Sequence, residues 1–197
     1  FGRVINLSDA VFAIALTLLV LTLDVPDVPA RELGAVVVDQ WPHLLAFALA
    51  FLLVANAWWQ HHKICAALGW FEPGMIALNV ACLAGVALVP YPTSLVGAAP
   101  TTRAAVVPFI AIFVLLSVLW LALVVRVQVV GAWRTPMPAK VYPWLIGDWV
   151  ASIAVLIVAL LVALVAPVAG LVVLAVASSV VAFTMGRLGP TERSGWC

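Results

Sequence analysis

Charge is what this sequence has least of. Only 9% of its 197 residues are charged, nine basic against eight acidic. A soluble domain carries about a quarter. So apolar a composition excludes a soluble enzyme, a disordered chain and a nucleic-acid binder, while the net charge of +1 says nothing about partners. Cysteine is scarce too. Cys65, Cys82 and Cys197 are odd in number and scattered, with no CxxC. They point neither to a disulfide framework nor to a metal site, and Cys82 reads as a small buried apolar residue. There is no GxSxG, HExxH, P-loop or Rossmann fingerprint, and no carboxylate pair of the kind an intramembrane hydrolase uses. An enzyme is therefore not expected, nor a cofactor or a bound metal. A TVGYG carbonyl filter is also missing; Thr93-Ser94-Leu95-Val96-Gly97 is a faint echo at a helix exit.

What the chain has instead is apolar surface. Hydrophobic residues make up 66% of it, more than one soluble core of this size can hide. Near-unbroken runs of Leu, Val, Ala and Ile predict an all-α integral membrane protein, because a helix satisfies its own backbone in lipid. A span takes about 20 residues, so six take roughly 120 and leave roughly 77 for loops and ends; seven would fit only with almost no loops.

The spans are expected at about 4–23, 42–60, 74–89, 104–125, 143–166 and 168–185, one six-helix module over 1–197. Asp24-Val-Pro-Asp27, then Pro90 and Pro92, Pro136 and Pro138, and Pro167 with Gly170 mark the exits. The first apolar segment contains Ser8 and Asp9 and no small-residue cleavage site follows it, so it reads as a span and not as a signal peptide. No internal repeat and no soluble domain are evident.

Basic residues set the orientation. With the N-terminus cytoplasmic, inner segments hold Arg3, Lys63, Arg126, Arg134, Lys140, Arg187 and Arg193, and outer loops hold Arg31 and Arg103. Seven against two predicts that both termini are cytoplasmic. The acidic first loop, with Asp24, Asp27, Glu32 and Asp39, then lies outside, where it would concentrate cations at an entrance.

In a membrane helix the polar residues carry the information. Ser8 and Asp9 on the first helix, His61 and His62 on the second, Asn79 on the third and Asp148 on the fifth all fall towards the inner ends, as do Arg3, Arg126 and Arg187. They form one layer at the cytoplasmic leaflet, below an apolar outer half. Two readings of Asp9 stand: a staple between helices, or a proton relay or ion ligand. At 100° per residue Asp9 points roughly 140° away from Ile14, while Leu18 and Leu21 lie within about 40° of it. Asp9 therefore faces other helices, with His61, His62, Arg3 or the Trp58 indole as candidate partners. His61-His62 reads either as a metal site or pH sensor, or as one layer histidine and one interfacial histidine. Neighbours that diverge by about 100° do not readily chelate one ion. Thr17, about 60° from Ile14, sits on the edge of that face; such threonines commonly bond their own backbone.

The segment Arg3-Val-Ile-Asn-Leu7-Ser8-Asp9 through Phe12, Ile14, Thr17 and Leu18 to Leu21 resembles the RxxxFSD signature and first helix of the lysosomal-type potassium channel family, as a prokaryotic single-repeat member. Trp58-Trp59-Gln60-His61-His62-Lys63 resembles that family's WxxHH-type segment. The likeness is specific over about 25 residues, supported over about six more and architectural elsewhere. One departure stands out: Leu7 replaces the signature aromatic.

The resemblance implies a homotetramer in the lipid bilayer of a prokaryotic plasma membrane, with the four first helices lining a central pore. It implies a constriction at Ile14, Leu18 and Leu21 with Thr17 beside it, and a polar network of Arg3, Ser8, Asp9, Trp58, His61 and His62. Asp24, one turn above Leu21, reads either as a group that attracts cations at the outer mouth or as a solvated turn residue before Pro26. The expected function is passive conduction of potassium through a hydrophobic neck. Rival readings are a proton-coupled secondary transporter, which the apolar mid-membrane part of the first helix disfavours, and a non-conducting membrane scaffold.

Overall fold

The computed structural model describes residues 2–23 and 27–188, with the side chains of 177 and 180–188 left aside. The described residues are almost wholly helical. In chain order they form α1 (Gly2–Leu18), α2 (Leu33–Asp39), α3 (Trp41–Ala67), α4 (Pro73–Leu88), α5 (Pro90–Ala98), α6 (Arg103–Val130), α7 (Val141–Ala163) and α8 (Pro167–Leu188). Five stretches are long and apolar enough to cross a membrane: Gly2–Thr22, Trp41–Ala67, Pro73–Ala98, Arg103–Val130 and Val141–Ala163. The sixth expected span falls on α8.

Several boundaries follow from local chemistry. α1 tightens into a 3-10 turn over Leu19–Thr22, where the Thr22 hydroxyl donates to the Leu19 carbonyl at 2.7 Å. Pro42 and Pro73 occupy the first turns of α3 and α4, where a missing N–H costs nothing. α6 closes on Gly131, which adopts a left-handed φ of 67°. There the Ala132 N–H bonds the Val127 carbonyl at 3.0 Å, a Schellman ending that glycine permits without strain.

Two details differ from the expectation. The third span does not stop at Pro90. Only Val89 separates α4 from α5, and the helix runs on to Ala98. Proline is tolerated there because it opens α5, and the Thr93 hydroxyl and N–H both bond the Val89 carbonyl, at 2.8 and 3.2 Å. The acidic first loop is also not wholly irregular, since Leu33–Asp39 is helical.

α1 packs on α3 and α4, α3 on α5, α4 on α6, α6 on α7, and α7 on α8. Phe12, Leu19, Met75, Val86, Phe109, Ile110 and Leu123 are fully buried between them. The α7–α8 hairpin is held by small residues: a Cβ on Gly170 would lie 2.5 Å from that of Ala163. Without a hydrophobic drive between helices in lipid, close backbone approach of this kind supplies the packing energy. At the other end, two loops are tied by backbone bonds. Gly69 N–H reaches the Ala132 carbonyl at 2.8 Å, and Arg134 N–H reaches that of Ala67 at 2.9 Å. Beside them the Arg126 guanidinium donates to the Glu72 carboxylate, which holds that carboxyl below the usual carboxylate range.

Candidate functional site: the two faces of the first helix

α1 has one face turned into the bundle and one turned away. Ser8, Phe12, Ala15 and Leu19 are buried. Opposite them Ile14, Leu18 and Leu21 are 57%, 40% and 75% exposed. Leu7, Ala10, Ile14, Thr17 and Leu21 form an exposed row spaced by three and four residues in turn. That period of 3.5 is the seam of helices that wind around a shared axis. The Thr17 hydroxyl donates to the Ile14 carbonyl at 2.8 Å, so its proton is held by the helix itself and its oxygen stays on the exposed face.

The buried face carries a directed chain of hydrogen bonds. The Ser8 hydroxyl donates to the Val4 carbonyl at 2.9 Å, and Asn79 Nδ2 donates to Ser8 Oγ at 3.0 Å. His61 Nε2 lies 2.7 Å from Asn79 Oδ1. That oxygen only accepts, so the network assigns the ring proton to Nε2. His61 Nδ1 is then an acceptor, and the Cys65 thiol donates to it at 3.5 Å. The chain joins α3, α4 and α1, and its members are buried. Satisfied networks of this kind fix one arrangement of helices. Phe12 packs against the His61 ring, with centroids 5.5 Å apart, and stacks on Trp120 at 6.2 Å and 11°.

Asp9 lies beside this chain and outside it. Its Oδ1 accepts from the Trp58 indole at 3.0 Å. Of the four candidate partners, the indole is the one that meets it. His62 is exposed and packs against Trp58 and Trp59, with centroids 5.5 and 6.3 Å apart. The two histidines therefore part company, and among the described residues no group of three His, Cys, Asp or Glu could hold a metal. Arg3 is exposed. Asp24 lies outside the described residues. The residue that sequence reasoning undervalued is Asn79. It was visible as a lone amide in an apolar helix, yet it is the hub that receives from His61 and gives to Ser8.

Fold and site thus define an all-helical integral membrane protein whose first helix is bolted to its neighbours on one side and bare on the other. Comparison with known proteins shows what the chain is similar to. Residues 3–90 match the family described as the endosomal/lysosomal potassium channel TMEM175. A potassium channel of Streptomyces collinus is 39% identical over 99 residues, 48% of this chain and 46% of that protein. A potassium channel of Chamaesiphon minutus is 33% identical over 125 residues, 60% of this chain and 62% of that protein. The matched part thus spans about half to three-fifths of these relatives. The crystal structure of a homolog of the lysosomal potassium-selective channel TMEM175 from Chamaesiphon minutus shares the fold, with a TM-score of 0.80 over 93% of this chain and 97% of that one, at 24% identity. The resemblance to this family is borne out as a similarity over residues 3–90.

Proposed function

We propose that the chain is one subunit of a potassium-permeable channel. It crosses a prokaryotic plasma membrane six times, with α8 as the last span and both termini cytoplasmic, and four copies surround a central pore lined by α1. One observation carries this reading: the row through Ile14 and Leu21, apolar but for Thr17, follows a 3.5-residue period and is left uncovered by its own subunit. The names of the relatives, all potassium channels, and the match to the TMEM175 family over residues 3–90 support the same function. The excess of basic residues in the inner segments supports the orientation.

In this reading four Ile14 side chains make the narrowest ring, with rings of Leu18 and Leu21 outward of it. An apolar ring gates by dewetting. An ion that enters must shed water without a carbonyl cage to replace it. Potassium holds its hydration less firmly than sodium, so it passes more readily, and discrimination is modest. Thr17, whose oxygen borders the ring, offers the nearest polar atom. The Ser8–Asn79–His61 chain and the Asp9–Trp58 bond hold the back of α1, so that its free face keeps one orientation.

The test is the reversal potential of the purified protein in a planar bilayer with potassium on one side and sodium on the other. A shift towards the potassium equilibrium potential is expected. Reversal near zero would leave a channel without discrimination, and no current from a verified tetramer would favour a scaffold.

A further inference from the structure

The open row of α1 continues on the N-terminal side of Ile14. Leu7 stands one heptad before Ile14, and Leu21 one heptad after it. At 100° per residue a heptad falls about 20° short of two full turns. Leu7 and Leu21 therefore flank the direction of Ile14 by about 20° on either side, whereas Leu18 departs from it by about 40°. If Leu18 lines the neck, Leu7 is the better aligned of the two. Along the axis Leu7 lies about 10.5 Å from Ile14, as far one way as Leu21 lies the other.

Burial agrees with that register. Leu7 is 51% exposed, between Ile14 at 57% and Leu18 at 40%. The next residue, Ser8, is 1% exposed and accepts from Asn79 Nδ2 at 3.0 Å. Phe12, also 1% exposed, stacks on Trp120. These two contacts fix the rotation of α1 about its axis, so Leu7 is held on the open side.

Side-chain size alternates along the row. Ala10, small and exposed, stands between Leu7 and Ile14, and Thr17 stands between Ile14 and Leu21. Four such rows around an axis give an apolar ring at Leu7, a wider level at Ala10, then the ring at Ile14. Asp9, next to Ala10 in sequence, is held by the Trp58 indole and points roughly 140° away from Ile14. An ion at the Ala10 level is therefore served by water and not by that carboxylate.

We propose that Leu7 forms a second apolar constriction of the pore, in series with Ile14 and separated from it by a wetted chamber at Ala10. This second ring presupposes the proposed pore and adds a barrier at its N-terminal end, so that an ion sheds water twice. Such a ring opens by wetting, so its polarity matters as much as its width.

Single-channel recording of the purified full chain in planar bilayers, with potassium on both sides, tests the series. Leu7→Asn keeps the size of the side chain and removes its apolar character. Barriers in series add as resistances, so lifting one matters more once the other has been lowered. Leu7→Asn should raise conductance by less than about twofold in the wild type and by at least about threefold in the Ile14→Ala background. Separately, Leu7→Cys is treated in both chambers with a trimethylammonium-bearing methanethiosulfonate, which adds bulk and positive charge to an accessible thiol. Its current should fall at least about fivefold, while the wild type, with Cys65, Cys82 and Cys197 in place, keeps its own. Should Leu7→Asn fail to assemble, the Leu7→Cys arm decides alone. A conducting wild type whose current is changed neither by Leu7→Asn in either background nor by the reagent on Leu7→Cys would overturn the second ring and leave the pore standing. Equal gains from Leu7→Asn in the two backgrounds would overturn it as well, because they exclude a series. No current from a verified wild-type tetramer would overturn the pore itself, and the ring with it.

Discussion

The Trp58 indole donates to Asp9 Oδ1 across 3.0 Å and so joins the second membrane helix to the first. An aspartate half-buried in a membrane protein needs such a donor, and the indole is its one hydrogen-bond donor among the described side chains. Trp58→Phe should therefore destabilise the protein by about 1–2 kcal/mol, since it strips the donor and leaves the carboxylate. Asp9→Leu should cost less in the Trp58→Phe background than in the wild type, a coupling of about 1–1.7 kcal/mol. Thermal unfolding in detergent measures all four corners of that cycle. Additive losses would mean that the contact holds nothing.

Asn79 should prove more sensitive than either neighbour. Asn79→Leu leaves the His61 Nε2–H without its acceptor and Ser8 Oγ without its donor, both buried. Two orphaned groups at about 1–3 kcal/mol each should lower the melting temperature further than Ser8→Ala, which leaves His61 and Asn79 still bonded to each other. Equal melting temperatures for the two variants would contradict the hub assigned to Asn79.

Ile14 stands on the open face of α1 and is mostly exposed in a single subunit, so truncating it should cost the subunit fold little. In the proposed pore, Ile14→Ala widens the neck and lowers the dewetting barrier. Single-channel conductance should rise and the potassium-to-sodium permeability ratio should fall towards one. A ratio that does not move from the wild-type value would place the constriction elsewhere.

Acid should act on the Glu72–Arg126 pair beside the two tied loops. Glu72 sits at the surface, and the hydrogen bond from Arg126 lowers its pKa. A carboxyl depressed in the folded state stabilises fully above its ordinary value, near 4.3, and the contribution fades as pH falls through the depressed one. The melting temperature of the wild type should therefore drop more than that of Glu72→Gln between pH 6 and strongly acidic solution. The difference should be small and should shrink with salt, as surface pairs do. Parallel pH curves for the two proteins would show that the pair is idle.

Much of α1 was legible because polar residues are conspicuous in an apolar helix. Ser8, Asp9 and His61 stood out by type alone, and simple angular arithmetic placed Asp9 opposite Ile14. The partner of Asp9 was not legible. Four side chains could have reached it, and only the packing of α3 on α1 chooses the indole. Pro90 misled for a related reason. Proline ends a helix where its missing N–H is needed, and whether it is needed depends on how the next turn is bonded, here through Thr93. A cavity beside Asp148 was hidden more deeply. Its wall comes from four helices spread between Leu53 and Ser178, and no sequence window spans them. The orphan N–H of Trp120, a residue that reads simply as an apolar core residue, emerges only when every donor is matched to an acceptor.

The bonds between the two loops at Gly69 and Ala132 carry a consequence for how the protein is made. Ala67 and Gly69 leave the ribosome well before Ala132 and Arg134, which they bond. The early loop cannot reach its final form until α4, α5 and α6 have been threaded. Closing about sixty residues between the ends costs only a slowly growing entropy, so the delay is one of order of synthesis more than of energy. Until then the Gly69 N–H and the Ala67 carbonyl lack these partners, and a nascent chain stalled before residue 132 should be far easier to cleave there than the finished one.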